Sequence, residues 1–545
     1  MERADALVNW DRRTEQAFFG FLAVLLGYLA YFSSVKLFWF DEFLSYYTES
    51  SPTTAALLKA QVVSPVSLDP PFYHLLGHWI ITLGLNPTFA VRLPALLGTV
   101  MMITGVYLFT RRLAGFYAAA ISVAGLLLTY DFYLVEARPY GILLGTSALS
   151  LLFWQNSIRG QKRVLSLFGL FCVLSLAVSC HYFGILIAVP ILLAEAVRAA
   201  RLRRLDLPVL AAILPSYGFA GFWLPFLKGA GQYKANYYIK PYFLDCIRSY
   251  SWLNELHRNA KQLPVAVDLL LFVLVLSTVV AGAYLGYRAS RDRTSSPEEW
   301  SVLVFLAILP LFGGILSVAG AGSYLPRYVI ESGIGFMVPR VAGVLYFFRS
   351  NRIRTLALAV FSLLLVVQCY RDHVRDRKDR EMLNFCISQT GPEVLVIPDQ
   401  YDEFMRMYFY FQHHPAASWP YAWVADVDRE IAWQGTDNIS RTMLNLEQIT
   451  PLPVISYTDL MKSNRRIEII QAKSNKRDWL VKELTKNHAG LTLKATKGDF
   501  SVYELQLPKS QVQADLEHNP ARQSLARFTP SGRSNQVRAA NRRRT

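Results

Sequence analysis

Charge is what this chain has least of. Only 18% of its 545 residues are Asp, Glu, Lys or Arg, against 53% hydrophobic residues. The apolar residues fall in long blocks instead of at helical spacing, and the mean hydropathy is +0.25. That pattern excludes an ordinary soluble domain and fits a polytopic helical membrane protein. Cysteine is scarce too: there are five, with no C-x-x-C spacing, so neither a zinc site nor a dithiol redox motif is indicated. Cys246 and Cys386 lie in polar segments, and a bridge between them is not expected. Acids are absent from the last 24 residues, which carry seven arginines: Arg522, Arg527, Arg533, Arg538, Arg542, Arg543 and Arg544. Most of the remaining formal excess of +16 lies in short loops between apolar runs. It reads as a membrane-orientation signal and not as a nucleic-acid surface. A small-residue cleavage site before Trp39 is also lacking, so the first apolar run is expected to stay as a span.

Five basic loops set the expected orientation. They are Arg111-Arg112; Arg159, Lys162 and Arg163; Arg198, Arg201, Arg203 and Arg204; Arg288, Arg291 and Arg293; and Arg349, Arg352 and Arg354. Keeping all five on the cytoplasmic side requires an even number of crossings between neighbours. The apolar runs supply them: 116–134 with 140–158, 165–180 with 183–198, 208–227 with 264–287, and 301–319 with 329–347. A last run, 355–370, leads out. Before Arg111, runs 17–38 and 93–110 cross. The stretch 70–85 is short, opens with Pro70-Pro71 and holds His74, His78 and Trp79, so it reads as an interfacial helix in the first outer loop. The expectation is about eleven spans, amino terminus cytoplasmic and carboxyl terminus outside, in the plasma (inner) membrane.

Composition changes after Tyr370. Residues 1–370 read as the membrane-embedded domain and 371–508 as a small extracytoplasmic α/β domain. Strands are expected near 393–398, 466–471 and 500–507, with helices near 402–411 and 476–487. The stretch 509–545 reads as a basic disordered tail.

The stretch Trp39-Phe40-Asp41-Glu42-Phe43 places two carboxylates where the first span leaves hydrocarbon, a costly place for an idle charge. Acids there often only mark a helix end. This pair, however, shares the expected outer face with Asp69, Arg92, Glu136-Ala137-Arg138-Pro139-Tyr140, His181-Tyr182 and Pro326-Arg327-Tyr328. The recurring theme is carboxylate plus arginine. Arginine presents a planar fork of donors to phosphate. A carboxylate can take a proton from a hydroxyl or amine, or hold a divalent cation. A site with both, open to lipid and solvent, suits a lipid-phosphate donor and a polar acceptor. A transporter or flippase would place its ionisable residues near the midplane, and the spans show few there.

Six motifs occur in order: Phe40-Asp41-Glu42, Leu68-Asp69-Pro70-Pro71-Phe72-Tyr73, Arg92-Leu93-Pro94, Glu136-Ala137-Arg138-Pro139-Tyr140, His181-Tyr182-Phe183-Gly184 and Arg327-Tyr328. The series resembles that of the C-type membrane glycosyltransferases, the protein O-mannosyltransferase and lipid A aminoarabinose transferase superfamily, over residues 1 to about 370. The resemblance implies transfer of a sugar from a polyprenyl-phosphate donor to a glycan, lipid or protein acceptor. It implies Asp41 as acceptor-activating base or metal ligand, Glu42 as its support and Glu136 as the second acid. Arg138 and Arg327 would face the donor phosphate, joined by Arg92. Asp69, Tyr140, His181, Tyr182 and Tyr328 would line the donor cavity. Asp41 and Glu136 are the pair that could hold a divalent cation. The alternative for Arg138 and Arg327 is an interfacial anchor, with the phosphate role favoured for Arg138 and the two balanced for Arg327; for Asp69 a turn-shaping role stands level with a ligand role.

Overall fold

The structure, a computed structural model, describes residues 2–233, 242–253, 264–290, 296–321, 323–348, 350–388, 394–411, 421–463, 466–472, 479–487 and 489–506. The expected tail, 509–545, lies outside them. Seven helices among the described residues are long and apolar enough to cross a membrane. They are Trp10–Val35, Pro87–Ala114, Arg163–Cys180, Tyr182–Leu202, Leu207–Gly229, Val265–Ala289 and Asn351–Ser388. An eighth is the pair Pro297–Ala307 and Leu309–Ala319, bent by 46° at its break, if the two halves are one span. Helices Phe116–Thr129, Tyr140–Ile158 and Ser332–Phe347 stand at the other expected positions, but fall short of that test of length and hydropathy.

Local chemistry explains the helix that carries Arg92. Asn86 caps Pro87–Ala114 by accepting from the amides of Thr88 and Phe89 at 3.0 and 3.3 Å, and Pro87 supplies a pre-set first turn. Arg111 and Arg112 sit in its last turn, where cations favour the dipole, and Gly115 ends it at φ 90°. A stripe of small residues then brings this helix against Tyr140–Ile158. A Cβ on Gly98 would overlap the Gly141 carbonyl, and one on Gly145 would overlap that of Gly98. Close backbone approach of this kind holds helices together where lipid gives no hydrophobic drive. It also sets Arg92 beside the turn that carries Glu136 and Arg138.

Between the first span and Pro87 run three short helices, Phe40–Glu49, Thr54–Val63 and Pro71–Ile81. The 11 residues of Pro71–Ile81 cannot cross a bilayer. Three of the basic loops gather at the other end of the bundle. Arg111 pairs with Glu15, Arg159 with Glu299, Arg198 with Asp206 and Arg201 with Glu298. Arg92 and Arg111 lie on one helix, about 28 Å apart at 1.5 Å per residue, so the two polar ends are well separated.

Asn351–Ser388 is one helix of 38 residues that leaves the bundle without a break and enters the last domain. There, β1 (Val394–Pro398), β4 (Arg466–Ala472), β5 (Gly490–Lys497) and β6 (Phe500–Gln506) form a sheet in the order β1-β4-β6-β5. β1 and β4 are parallel; the other two pairings are antiparallel. A two-residue parallel pair, β2 (Trp423–Val424) and β3 (Val454–Ile455), lies beside it. Helices Tyr401–Phe411 and Trp479–Lys486 occupy the expected helical stretches, whereas β5 and helices Val427–Gln434 and Asn438–Glu447 were not anticipated. All five cysteines are free.

Candidate active site

Four of the sequence candidates meet at one point. Arg138 Nε and Arg327 Nη2 approach the same oxygen of Asp41, Oδ2, at 3.9 and 3.6 Å. Asp41 keeps about a fifth of its side-chain surface in solvent, so its carboxylate remains reachable between the two guanidinium groups. Glu136 is wholly buried, and neither of its oxygens has a hydrogen-bond partner among the described residues. Burial pushes its carboxyl up to about 8, with Arg327 opposing and Glu42 and Asp41 adding to the rise. At neutral pH Glu136 therefore carries its proton and adds no negative charge beside the two arginines.

Asp69 supports Arg138 from behind, with Nη2 at 3.2 Å from Oδ2. Arg138 also donates to Ser67 at 3.3 Å, and Ser67 in turn donates to Asp69 at 2.9 Å. His181 Nε2 lies 3.6 Å from the other Asp69 oxygen. Burial alone would raise the Asp69 carboxyl, but the Arg138 guanidinium beside it leads the interactions that outweigh burial and hold it below the usual carboxylate range. His181 is pushed down to about 4 by burial and is neutral. Its ring lies 5.8 Å from Tyr140 and 5.3 Å from Tyr328, and the Arg327 guanidinium sits 5.5 Å from the centre of the Tyr140 ring. Tyr182 instead donates its hydroxyl to the Trp223 carbonyl at 3.3 Å, which spends its polar end on a neighbouring helix.

Glu42 and Arg92 form a separate, buried pair. Arg92 donates from Nε and Nη2 to the two Glu42 oxygens at 2.6 and 2.7 Å. Its remaining donors go to the carbonyls of Ser33, Lys36 and Leu37 at 2.8, 2.9 and 3.2 Å. Both Arg92 terminal nitrogens and Nε are thereby engaged. Glu42 also accepts from the amides of Ala137 at 3.0 Å and Trp39 at 3.3 Å. Burial would raise the Glu42 carboxyl, yet Arg92 and Lys36 hold it low. The pair staples the first acidic helix to the turn that carries Glu136.

Sequence reasoning missed a neighbouring acid–imidazole pair. Glu49 Oε1 lies 3.0 Å from His74 Nδ1, both wholly buried, and the Glu49 carbonyl meets His78 Nδ1 at 2.8 Å. Burial raises the Glu49 carboxyl well above its ordinary range and pushes His74 down to about 4. Gly77 leaves the room: a Cβ there would overlap the Glu49 carboxyl. The i, i+4 spacing of His74 and His78 was visible; Glu49 as their partner was not.

The donor set suits a cation poorly. Two guanidinium groups already face Asp41, and no group of three His, Cys, Asp or Glu able to hold a metal ion occurs among the described residues.

No family model matches the chain, and no curated protein does. Among solved structures, the chain is similar to ArnT from Cupriavidus metallidurans in the apo state, with a TM-score of 0.53 and 13% identity over 92% of this chain and 98% of that one. ArnT from the same organism bound to undecaprenyl phosphate matches at a TM-score of 0.39 and 15% identity, over 90% and 98% of the two chains. The archaeal oligosaccharyltransferase AglB from Archaeoglobus fulgidus, in complex with an inhibitory peptide and a dolichol-phosphate, matches at 0.40 and 12%, over 92% and 74%. Across nearly its whole length, bundle and carboxyl-terminal domain together, this chain has the fold of ArnT.

Proposed function

We propose that this chain is a glycosyltransferase that moves a hexosyl or pentosyl unit from a polyprenyl-phosphate donor to an acceptor on the outer face of the plasma membrane. One observation carries the reading: a solvent-reachable carboxylate, Asp41, stands between two arginines, Arg138 and Arg327, beside a buried, proton-bound Glu136. Asp41 takes the proton from an acceptor hydroxyl or amine as that atom attacks the anomeric carbon from the side opposite the phosphate. The anomeric carbon–oxygen bond breaks, and the polyprenyl phosphate leaves with the electron pair. Arg138 and Arg327 compensate the charge that develops on it. Glu136, neutral, donates a hydrogen bond to a phosphate oxygen where an ionised acid would repel it. Attack opposite the leaving group inverts the anomeric centre.

Asp69 and Ser67 hold Arg138 in place, Tyr140 and Tyr328 flank the donor, and His181 braces Asp69. Arg92 belongs to the scaffold in this reading, as the partner of Glu42. The acceptor is a lipid-linked glycan, lipopolysaccharide, a cell-wall polymer or a protein; each offers the nucleophile the site requires. The likeness to ArnT, one of whose structures holds undecaprenyl phosphate, supports the choice of donor class. A transporter is disfavoured because the charged cluster sits at one end of the bundle. The test is Asp41→Asn in membranes given a labelled polyprenyl-phosphate sugar. Transfer should fall at least about a hundredfold with normal expression, as expected for loss of a general base. Undiminished transfer would remove Asp41 from the chemistry.

A further inference from the structure

The residues just before Asp41 form a strap without regular structure, Lys36 to Trp39, between the first span and the Phe40–Glu49 helix. Backbone polar groups freed at a helix end must find partners, most of all beside a membrane. Here the carboxyl-terminal domain and the helix leading into it supply them almost residue by residue. Arg380 donates to the Val35 carbonyl. Leu37 N–H donates to Asp376 Oδ1 at 2.7 Å, and Phe38 N–H to the Tyr410 hydroxyl at 2.8 Å. Arg406 Nε donates to the Phe38 carbonyl at 3.0 Å, and Phe40 N–H donates to Asp402 Oδ1 at 2.7 Å. These partners lie 339 to 372 residues away in the chain.

The partners are themselves fixed. Arg380 pairs with Asp376 at 2.8 Å, and Arg406 reaches Glu403 at 3.7 Å and Asp379 at 3.4 Å. Aromatic packing closes the joint: Phe40 lies 4.3 Å from Tyr401, and Phe38 5.3 Å from Phe409, between ring centres. On its other side the strap is held by Arg92 through the carbonyls of Lys36 and Leu37. Asp41 follows Phe40 directly, so every one of these bonds sets where its carboxylate stands relative to Arg138 and Arg327.

We propose that Asp402 and Tyr410 are positioning residues for the transfer reaction, and that the carboxyl-terminal domain acts as a clamp that aims Asp41. The proposal rests on the reading of Asp41 as the base. A general base must lie within hydrogen-bond reach of its proton, and a displacement of about 1 Å can cost on the order of a hundredfold in rate. Among the described residues the amides of Leu37, Phe38 and Phe40 are paired with these clamp oxygens, so loss of one is felt at Asp41.

The test uses full-length protein with a labelled polyprenyl-phosphate sugar and compares Asp402→Ala, Asp402→Asn and Tyr410→Phe. Asparagine keeps an oxygen for the Phe40 amide; alanine does not. Asp402→Ala should lower kcat by about 10- to 100-fold with donor KM within about twofold, and Asp402→Asn should stay within about threefold of the parent. Tyr410→Phe removes only the oxygen facing Phe38 and should also lower kcat with KM unchanged. It serves as the clamp variant if Asp402→Ala fails to fold. Full kcat in the alanine and phenylalanine variants, an equal loss in Asp402→Asn and Asp402→Ala, or a change confined to KM would each overturn the clamp. Asp41→Asn runs in parallel. If it is inactive while the clamp variants are normal, the clamp alone fails; if it is active, the assignment of the base fails.

Discussion

Replacing Glu136 by Gln probes the most unusual charge state in the site. The carboxyl is wholly buried and unpartnered among the described residues, and burial lifts it from 4.5 to about 8. A folded-state value above the unfolded one means that the folded protein binds this proton more tightly. Its contribution to stability is fully present below the unfolded value of 4.5 and is lost as pH rises through about 8. At 1.36 kcal/mol per pH unit, the swing is on the order of 4–5 kcal/mol. Glutamine mimics the proton-bound form and cannot ionise. Thermal unfolding of detergent-purified protein at pH 5, 7 and 9 should therefore show the two proteins nearly equal at pH 5. Glu136→Gln should be progressively the more stable toward pH 9. The transfer rate of the native enzyme should fall above pH 8, as an ionised Glu136 begins to repel the donor phosphate; the variant should lack that limb. Parallel unfolding curves across the range would refute the buried, proton-bound assignment.

Arg92→Met leaves the Glu42 charge buried and three carbonyls unpaired, and should destabilise the protein by about 3–5 kcal/mol. Donor KM of the folded fraction should stay unchanged, and a raised KM would return Arg92 to the phosphate. Gly98→Ala should lower thermal stability by the equivalent of about 1–3 kcal/mol through overpacking against Gly141, while Gly27→Ala, with open space around it, should be neutral or better. Treatment with EDTA followed by desalting should leave transfer within about twofold of the untreated rate, because two guanidinium groups already supply the positive charge at Asp41. Loss of activity restored by Mg²⁺ or Mn²⁺ would contradict that.

The convergence of Asp41, Glu136, Arg138 and Arg327 was legible because each charge stands at the end of an apolar run, where hydrocarbon makes charge conspicuous. The expected strands at 393–398, 466–471 and 500–507 were legible from their apolar and β-branched runs. The strand Gly490–Lys497 was not: it lies at the sheet edge, mostly exposed, with lysines and threonines in place of a buried face. Long-range partnership was illegible for a different reason. Glu42 and Arg92 are 50 residues apart, and Phe40 and Asp402 are 362 apart. Nothing local distinguishes an arginine that will bind phosphate from one that will be consumed by three carbonyls and a carboxylate. Only the path of the strap past the Pro87–Ala114 helix decides it.

The long helix Asn351–Ser388 has a mechanical corollary. At 1.5 Å per residue its 38 residues reach about 57 Å, against roughly 30 Å of bilayer hydrocarbon. Its far part is thus a rigid mast that carries the α/β domain, and the bonds of Asp376 and Arg380 to Leu37 and Val35 moor it beside the end of the first span. A turn added to or removed from this one helix would carry the whole domain out of step with the bundle, so its length works as a gauge for the joint between the two.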